Sequence, residues 1–257
     1  KQTDNTITIK ADAGTTANVT IKDTNIDSTN TGNAAIKTEG EGDVNLNVEG
    51  KNTVTSDDNH AGVEKSNKGS LTIGSESEEG KLTANGGVRG AGIGGYDDDV
   101  NDITITGGKV TANGGGGAAG LGGGYYSNGN DITISGGEVT ANGGTGAAGI
   151  GGGSGSGIGC SNGSNITISG GKVTATGGEV GAGIGGGING SGSNITISKD
   201  SQVEAIGGVG NDISGCGAAI GSGGSGTWAG SINGSEIEPD TSGLYTTGKV
   251  ERKSGGG

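Results

Sequence analysis

The chain has 257 residues, among them 66 glycines, one proline and neither phenylalanine nor methionine, and its formal charge is −13. Large side chains are too few for an ordinary globular core of this length, and a single proline excludes collagen. The acidic balance, with only two arginines, excludes nucleic acid and anionic membrane surfaces as partners, and no run of about 18 apolar residues is present to insert into a bilayer.

The chain opens at Lys1 with no visible targeting segment, and reads as a mature or trimmed fragment. Residues 1–17 hold one alternating segment, Ile7-Thr8-Ile9, without a full period, which predicts an N-terminal cap or part coil. Over 18–224 a small-small-aliphatic triplet returns seven times: Ala34-Ala35-Ile36, Ala61-Gly62-Val63, Ala91-Gly92-Ile93, Ala119-Gly120-Leu121, Ala148-Gly149-Ile150, Ala182-Gly183-Ile184 and Ala218-Ala219-Ile220. The aliphatic positions are 27, 30, 28, 29, 34 and 36 residues apart. A period near 30 marks one structural unit copied and stacked, a solenoid, and disorder does not place aliphatic residues in register.

The units 101–124, 130–153, 164–187 and 193–224 read as three short strands each. The first is Ile103-Thr104-Ile105 and its copies at Ile132, Ile166 and Ile195; β-branched alternation is a strand signal. A corner follows at Gly107-Gly108, Gly136-Gly137 or Gly170-Gly171, replaced in the last copy by Lys199-Asp200-Ser201. The second strand is Lys109-Val110-Thr111-Ala112 and its copies, and the triplet is the third. In the earlier coils Val19-Thr20-Ile21, Leu46-Asn47-Val48 and Leu71-Thr72-Ile73 carry the first strand, and Lys81-Leu82-Thr83-Ala84 a second. The predicted fold is all-β, a right-handed parallel β-helix with three short strands per coil and about seven coils, a rod roughly 35 Å long. Residues 225–257 hold the only tryptophan, Trp228, and the only proline, Pro239, and read as a C-terminal cap ending in a linker-like tail from Lys253.

Stacking lines up surface residues in columns. The first strands present Thr104/Thr133/Thr167/Thr196 and Thr106/Ser135/Ser169/Ser198 beside Asp102/Asp131/Asn165/Asn194. This hydroxyl grid reads either as ordinary exposed-strand chemistry or as a binding face for a flat, repetitive target, a polysaccharide or ice. The second strands present Lys81, Lys109, Glu138, Lys172 and Gln202, a solvated charge ladder. The third strands are expected to present Ala35, Gly62, Gly92, Gly120, Gly149, Gly183 and Ala219 outward. Such a bare face means either tight curvature or a surface for close approach, including self-association.

The turns add three candidates. Asp97, Asp98, Asp99 and Asp102 form the densest acidic run, readable as a solvated turn or as a Ca²⁺ site. Tyr96, Tyr125 and Tyr126 occupy equivalent loops of neighbouring coils, where rings either stack on sugars or cover a corner. Cys160 and Cys216 have no metal spacing, and pair as one disulfide or stay free. His60 is the sole histidine and no GxSxG elbow exists, so no catalytic residues are expected. The sequons at Asn18, Asn165 and Asn194 arise from the repeat itself.

The units NDITISGGEVTANGGTGAAGIGGG (130–153) and NITISGGKVTATGGEVGAGIGGG (165–187) resemble glycine-rich repeats of secreted, cell-surface right-handed β-helix proteins of Gram-positive bacteria, closely over 68–224 and loosely over 16–67. The wider pectin-lyase-like group includes polysaccharide lyases, calcium-chelating polysaccharide-binding modules and adhesins. The resemblance therefore implies an extracellular location and a polysaccharide or cell-surface glycan as partner. A lyase of this type needs an arginine or lysine base beside carboxylate-bound calcium, and Arg89, the only arginine within the coils, lies in a glycine corner with no carboxylate column beside it. The expected function is a non-catalytic, adhesin-like surface module. A polysaccharide lyase, an ice-binding protein acting through the Thr/Ser face, and a structural spacer or self-assembling scaffold are the alternatives.

Overall fold

A computed structural model describes the chain except for residues 78, 156–160, 212–213, 226–231 and 256–257. The described residues form a parallel β-solenoid of three sheets, with no helix. The first sheet has seven strands, from Thr16–Lys22 to Gly192–Ile197; the second has eight, from Asn25–Asp27 to Lys249–Lys253; the third has eight, from Ile7–Ala11 to Ile220–Gly221. Each strand pairs in parallel with its copy one coil away, so every coil covers its neighbours and a thin core suffices.

The core consists of the expected columns. Ile103, Ile132, Ile166 and Ile195 stack in register, as do Ile105, Ile134, Ile168 and Ile197, and all are buried. The second sheet adds Val110, Val139, Val173 and Val203, then Ala112, Ala141, Ala175 and Ala205. The alanine column lies where the third strand passes close to the second: a Cβ on Gly120 would come within 2.8 Å of Ala112 O.

Those corners set the polar sequence. Asp102, Asp131, Asn165 and Asn194 all adopt left-handed backbone, with φ of 51–58°, a region that Asx tolerates better than other side-chain-bearing residues. Their side chains then form a ladder: Asn165 Nδ2 donates to Asp131 Oδ1 at 2.9 Å and Asn194 Nδ2 to Asn165 Oδ1 at 2.6 Å. The Asx column beside the hydroxyl grid is thus explained by the turn.

Four expectations change. Leu46 pairs with Ile73, and Val44 with Leu71, so the early first strands are offset by two residues from the expected alignment. The second sheet already exists in the first two coils, at Asn25–Asp27 and Lys51–Thr55. Its pattern is hidden because Asn52 occupies an inward position opposite Leu82. Asn52 is fully buried, donates to Glu49 O and Lys81 O, and accepts from the Thr24 N–H. Ile7-Thr8-Ile9 belongs to a strand of the third sheet, in register with Ile36–Thr38.

The fourth change concerns the C-terminal end, where a further strand, Lys249–Lys253, reaches the first residue of the linker-like tail and pairs with Gln202–Ile206. The C-terminal segment extends over the other two sheets as well. Asp240 bridges to Thr196, and the Glu236 carboxylate accepts the Ala219 and Ile220 N–H groups at 2.5 and 3.1 Å, where a further coil would supply carbonyls. Trp228, which the sequence places in the C-terminal cap, lies outside the described residues.

Candidate functional site

The triplet's middle column is not a surface. Ala35, Gly62, Gly92, Gly120, Gly149, Gly183 and Ala219 are all buried, and Ala35 and Ala219 pack in the main core. A Cβ on Gly92 would lie 2.4 Å from Asn113 N, and one on Gly120 2.5 Å from Asn142 N. The chain passes so close to the end of the second strand that only backbone fits. The bare outward face expected for docking or self-association does not exist; tight curvature accounts for the glycines.

The hydroxyl grid is real, and longer than expected. Thr72, Thr104, Thr133, Thr167 and Thr196 are in register, each partly exposed on the first sheet. Thr106, Ser135, Ser169 and Ser198 follow in the next column, where the Thr106 and Ser135 hydroxyls turn back to Ile73 O and Ile105 O, both at 3.4 Å. The earlier members of this column are Thr20, Asn47 and Gly74. A second threonine column was overlooked: Thr53, Thr83, Thr111, Thr140 and Thr174 line the second sheet. Both sheets carrying such columns points to exposed-strand propensity as their common cause.

The acidic turn does not form a cation cage. Asp99 is committed to Asn128, accepting its N–H at 2.7 Å and its Nδ2–H at 2.9 Å. This is the first rung of a turn ladder, continued by Asn128 Oδ1 to the Asn162 N–H and by Asn162 Oδ1 to the Ser191 N–H. Asp102 instead faces the half-buried Lys65, whose ammonium burial pushes below its ordinary value while Asp102 and Asp43 oppose the shift. Asp97 and Asp98 are exposed. Among the described residues no three His, Cys, Asp or Glu side chains converge as metal ligands.

His60 is held at both ring nitrogens. Nδ1 lies 2.7 Å from Glu64 Oε2 and Nε2 lies 3.1 Å from the Gly32 carbonyl oxygen. Glu64 is buried beside Lys37 and Ser66. Both ring nitrogens are thus engaged within the chain. Cys216 is a free thiol directed at Val209 O, 3.0 Å away; Cys160 lies outside the described residues.

The tyrosines divide. Tyr96 packs against His60, with centroids 5.8 Å apart, while Tyr125 and Tyr126 meet edge to face at 4.3 Å. Arg89 lies over the Tyr125 ring, 5.2 Å from its centroid. Arg89 and Tyr125 border a hollow of about 320 Å³, lined also by Val88, Gly116, Gly117, Thr145 and Ser154, while Tyr126 packs on Tyr125 outside that lining. Its walls are bolted together across coils: the Tyr125 N–H donates to Arg89 O, the Gly117 N–H to Val88 O, the Tyr126 N–H to Ser154 O and the Ser154 N–H to Gly117 O. A Cβ on Gly117 would meet Tyr125 Cδ2 at 2.4 Å, so this glycine lets the ring lie against the loop. Tyr126 is 46% exposed and Val88 55%. The sequence signals for this site were Tyr125-Tyr126 and the isolated Arg89; their meeting across one coil spacing was not foreseen.

A family model described as a beta helix repeat matches four segments, 78–95, 103–125, 132–154 and 166–188. The last three begin at a first-strand isoleucine and run past the third strand, and Arg89, Tyr125, Thr145 and Ser154 fall within the matched segments. No curated protein and no solved structure matches the chain significantly.

Proposed function

We propose that the protein is a non-catalytic, extracellular surface module that binds a glycan in the corner hollow at Tyr125. The observation that carries this reading is a hollow walled by the half-buried Tyr125, with the exposed Tyr126 edge to face beside it, whose backbone is fixed by hydrogen bonds from three successive coils. Sugar rings carry an apolar face and a rim of hydroxyls, so they suit an aromatic edge with nearby polar groups. Thr145 and Ser154 supply hydroxyls at the rim. The engagement of both His60 nitrogens and the separation of Arg89 from any cluster of carboxylates support binding without turnover. The long polar columns of the first and second sheets supply a stiff, hydrated body that presents the hollow.

Affinity electrophoresis of the whole protein through a panel of soluble polysaccharides, with the incubated polymers checked for new reducing or unsaturated ends, tests this. Retardation by at least one polymer, lost in Tyr125→Ala and unaccompanied by new chain ends, is the expected outcome. Equal retardation of the variant, or release of products, overturns the reading.

A further inference from the structure

Basic side chains in this acidic molecule are mostly spent on carboxylates. Seven lysines form ion pairs, and the other arginine, Arg252, holds Glu238 in a fork, Nη1 to Oε1 at 2.9 Å and Nη2 to Oε2 at 3.1 Å. Arg89 makes no ion pair among the described residues and its guanidinium donates no hydrogen bond to them, although the chain has 28 acidic residues. It is not loose: its carbonyl accepts the Tyr125 N–H at 2.9 Å, its own N–H donates to Asp58 O at 2.9 Å, and its guanidinium lies over the Tyr125 ring. A cation–π contact uses none of the guanidinium's N–H donors, so those of the exposed Arg89 stay open to a ligand.

Resting on the glycan-binding reading above, we propose that the hollow takes a sugar ring bearing an oxyanion, a carboxylate or a sulfate, with Arg89 forking onto the oxyanion while the sugar lies beside Tyr125. Arg89 and Tyr125 both line the hollow, so one sugar unit within it reaches both. A bidentate, charge-assisted pair is strong and directional, and Arg252 with Glu238 shows the same fork satisfied within the molecule. The rest of the protein repels a long polyanion through its net charge of −13, a repulsion screened beyond about 8 Å at physiological salt. Recognition is therefore local, of a single charged unit.

The test is calorimetric titration of the whole protein with three short probes: a galacturonate trisaccharide, a sulfated galactose disaccharide and a neutral galactose trisaccharide. One or both anionic probes bind at least about tenfold more tightly than the neutral one, Arg89→Gln removes that preference, and Arg89→Lys restores part of it. Which anionic probe binds identifies carboxylate or sulfate. Arg89 is exposed, so an unchanged unfolding curve verifies that the variants fold. A preference unchanged in Arg89→Gln, or equal binding of the neutral probe, overturns the charge assignment and leaves the glycan reading standing. Failure of every sugar to bind overturns both.

Discussion

Single residues in this chain are chosen by backbone before they are chosen by chemistry. Asn165 sits at φ 55°, so Asn165→Ala forces a Cβ-bearing residue without Asx character into the left-handed region, at a cost of about 1–2 kcal/mol, and removes a ladder rung. Asn165→Gly loses only the rung, so its urea midpoint falls between wild type and Asn165→Ala; the reverse order sinks the turn explanation of the Asx column. Gly120 gives a sharper contrast. Its added methyl meets backbone at 2.5 Å, and Gly120→Ala is expected to destabilise by about 1–3 kcal/mol, whereas Gly116→Ala, whose methyl first meets Val88 at 3.4 Å, stays within about 0.5 kcal/mol. Equal midpoints for the two variants contradict the buried placement of the triplet column.

Elements were legible in the sequence wherever the apolar alternation is unbroken. From Leu71 onward the isoleucine and valine columns announce the first and second strands, and the glycine pairs announce the corner between them. Before that point the pattern fails for a physical reason. Asn52 stands in an inward column and Thr38 in another, each buried because its hydrogen bonds are met inside: Thr38 Oγ1 donates to Asn67 Oδ1, and Asn67 Nδ2 donates to Gly42 O. Period-two reasoning counts polar residues as outward and so misses these strands. Asn52→Ala leaves the Thr24 N–H and two carbonyls without this partner; the expected loss is about 1–3 kcal/mol, localised by faster amide exchange at Thr24. Unchanged exchange at Thr24 contradicts the role assigned to Asn52. The charge ladder of the second sheet behaves differently. Lys172, then Lys109, hold the Glu138 carboxyl below its ordinary value of 4.5. A lowered carboxylate contributes stability that is full above 4.5 and fades as pH falls through the lowered value. Because the ladder is exposed, the effect is small and screened by salt. Glu138→Gln is expected to flatten the stability profile slightly below pH 4.5 at low salt and not at all at high salt, which denaturation series at the two ionic strengths resolve.

At the scale of the molecule, a solenoid is as stable as its ends are closed, since each coil relies on its neighbours. The Glu236 carboxylate stands in for the next coil at the third sheet. Glu236→Ala is expected to speed amide exchange at Ala219 and Ile220 while leaving Ile132–Ile134 unchanged; uniform protection throughout contradicts a capping role. The candidate site was only half legible for the same reason that the fold was readable. Repetition reports what every coil shares, whereas the hollow depends on what single coils add: Arg89 in one, Tyr125 in the next, Thr145 and Ser154 after that. Columns such as Thr104 to Thr196 draw the eye because they repeat, yet their recurrence on two sheets ties them to strand chemistry. The glycan reading therefore places its ligand at the irregular corner. A structure of the protein soaked with an oligosaccharide that it binds tests that claim most directly. Sugar density in the hollow bordered by Arg89, Tyr125 and Gly117 is predicted, and density along the threonine column of the first sheet, with the hollow empty, contradicts it.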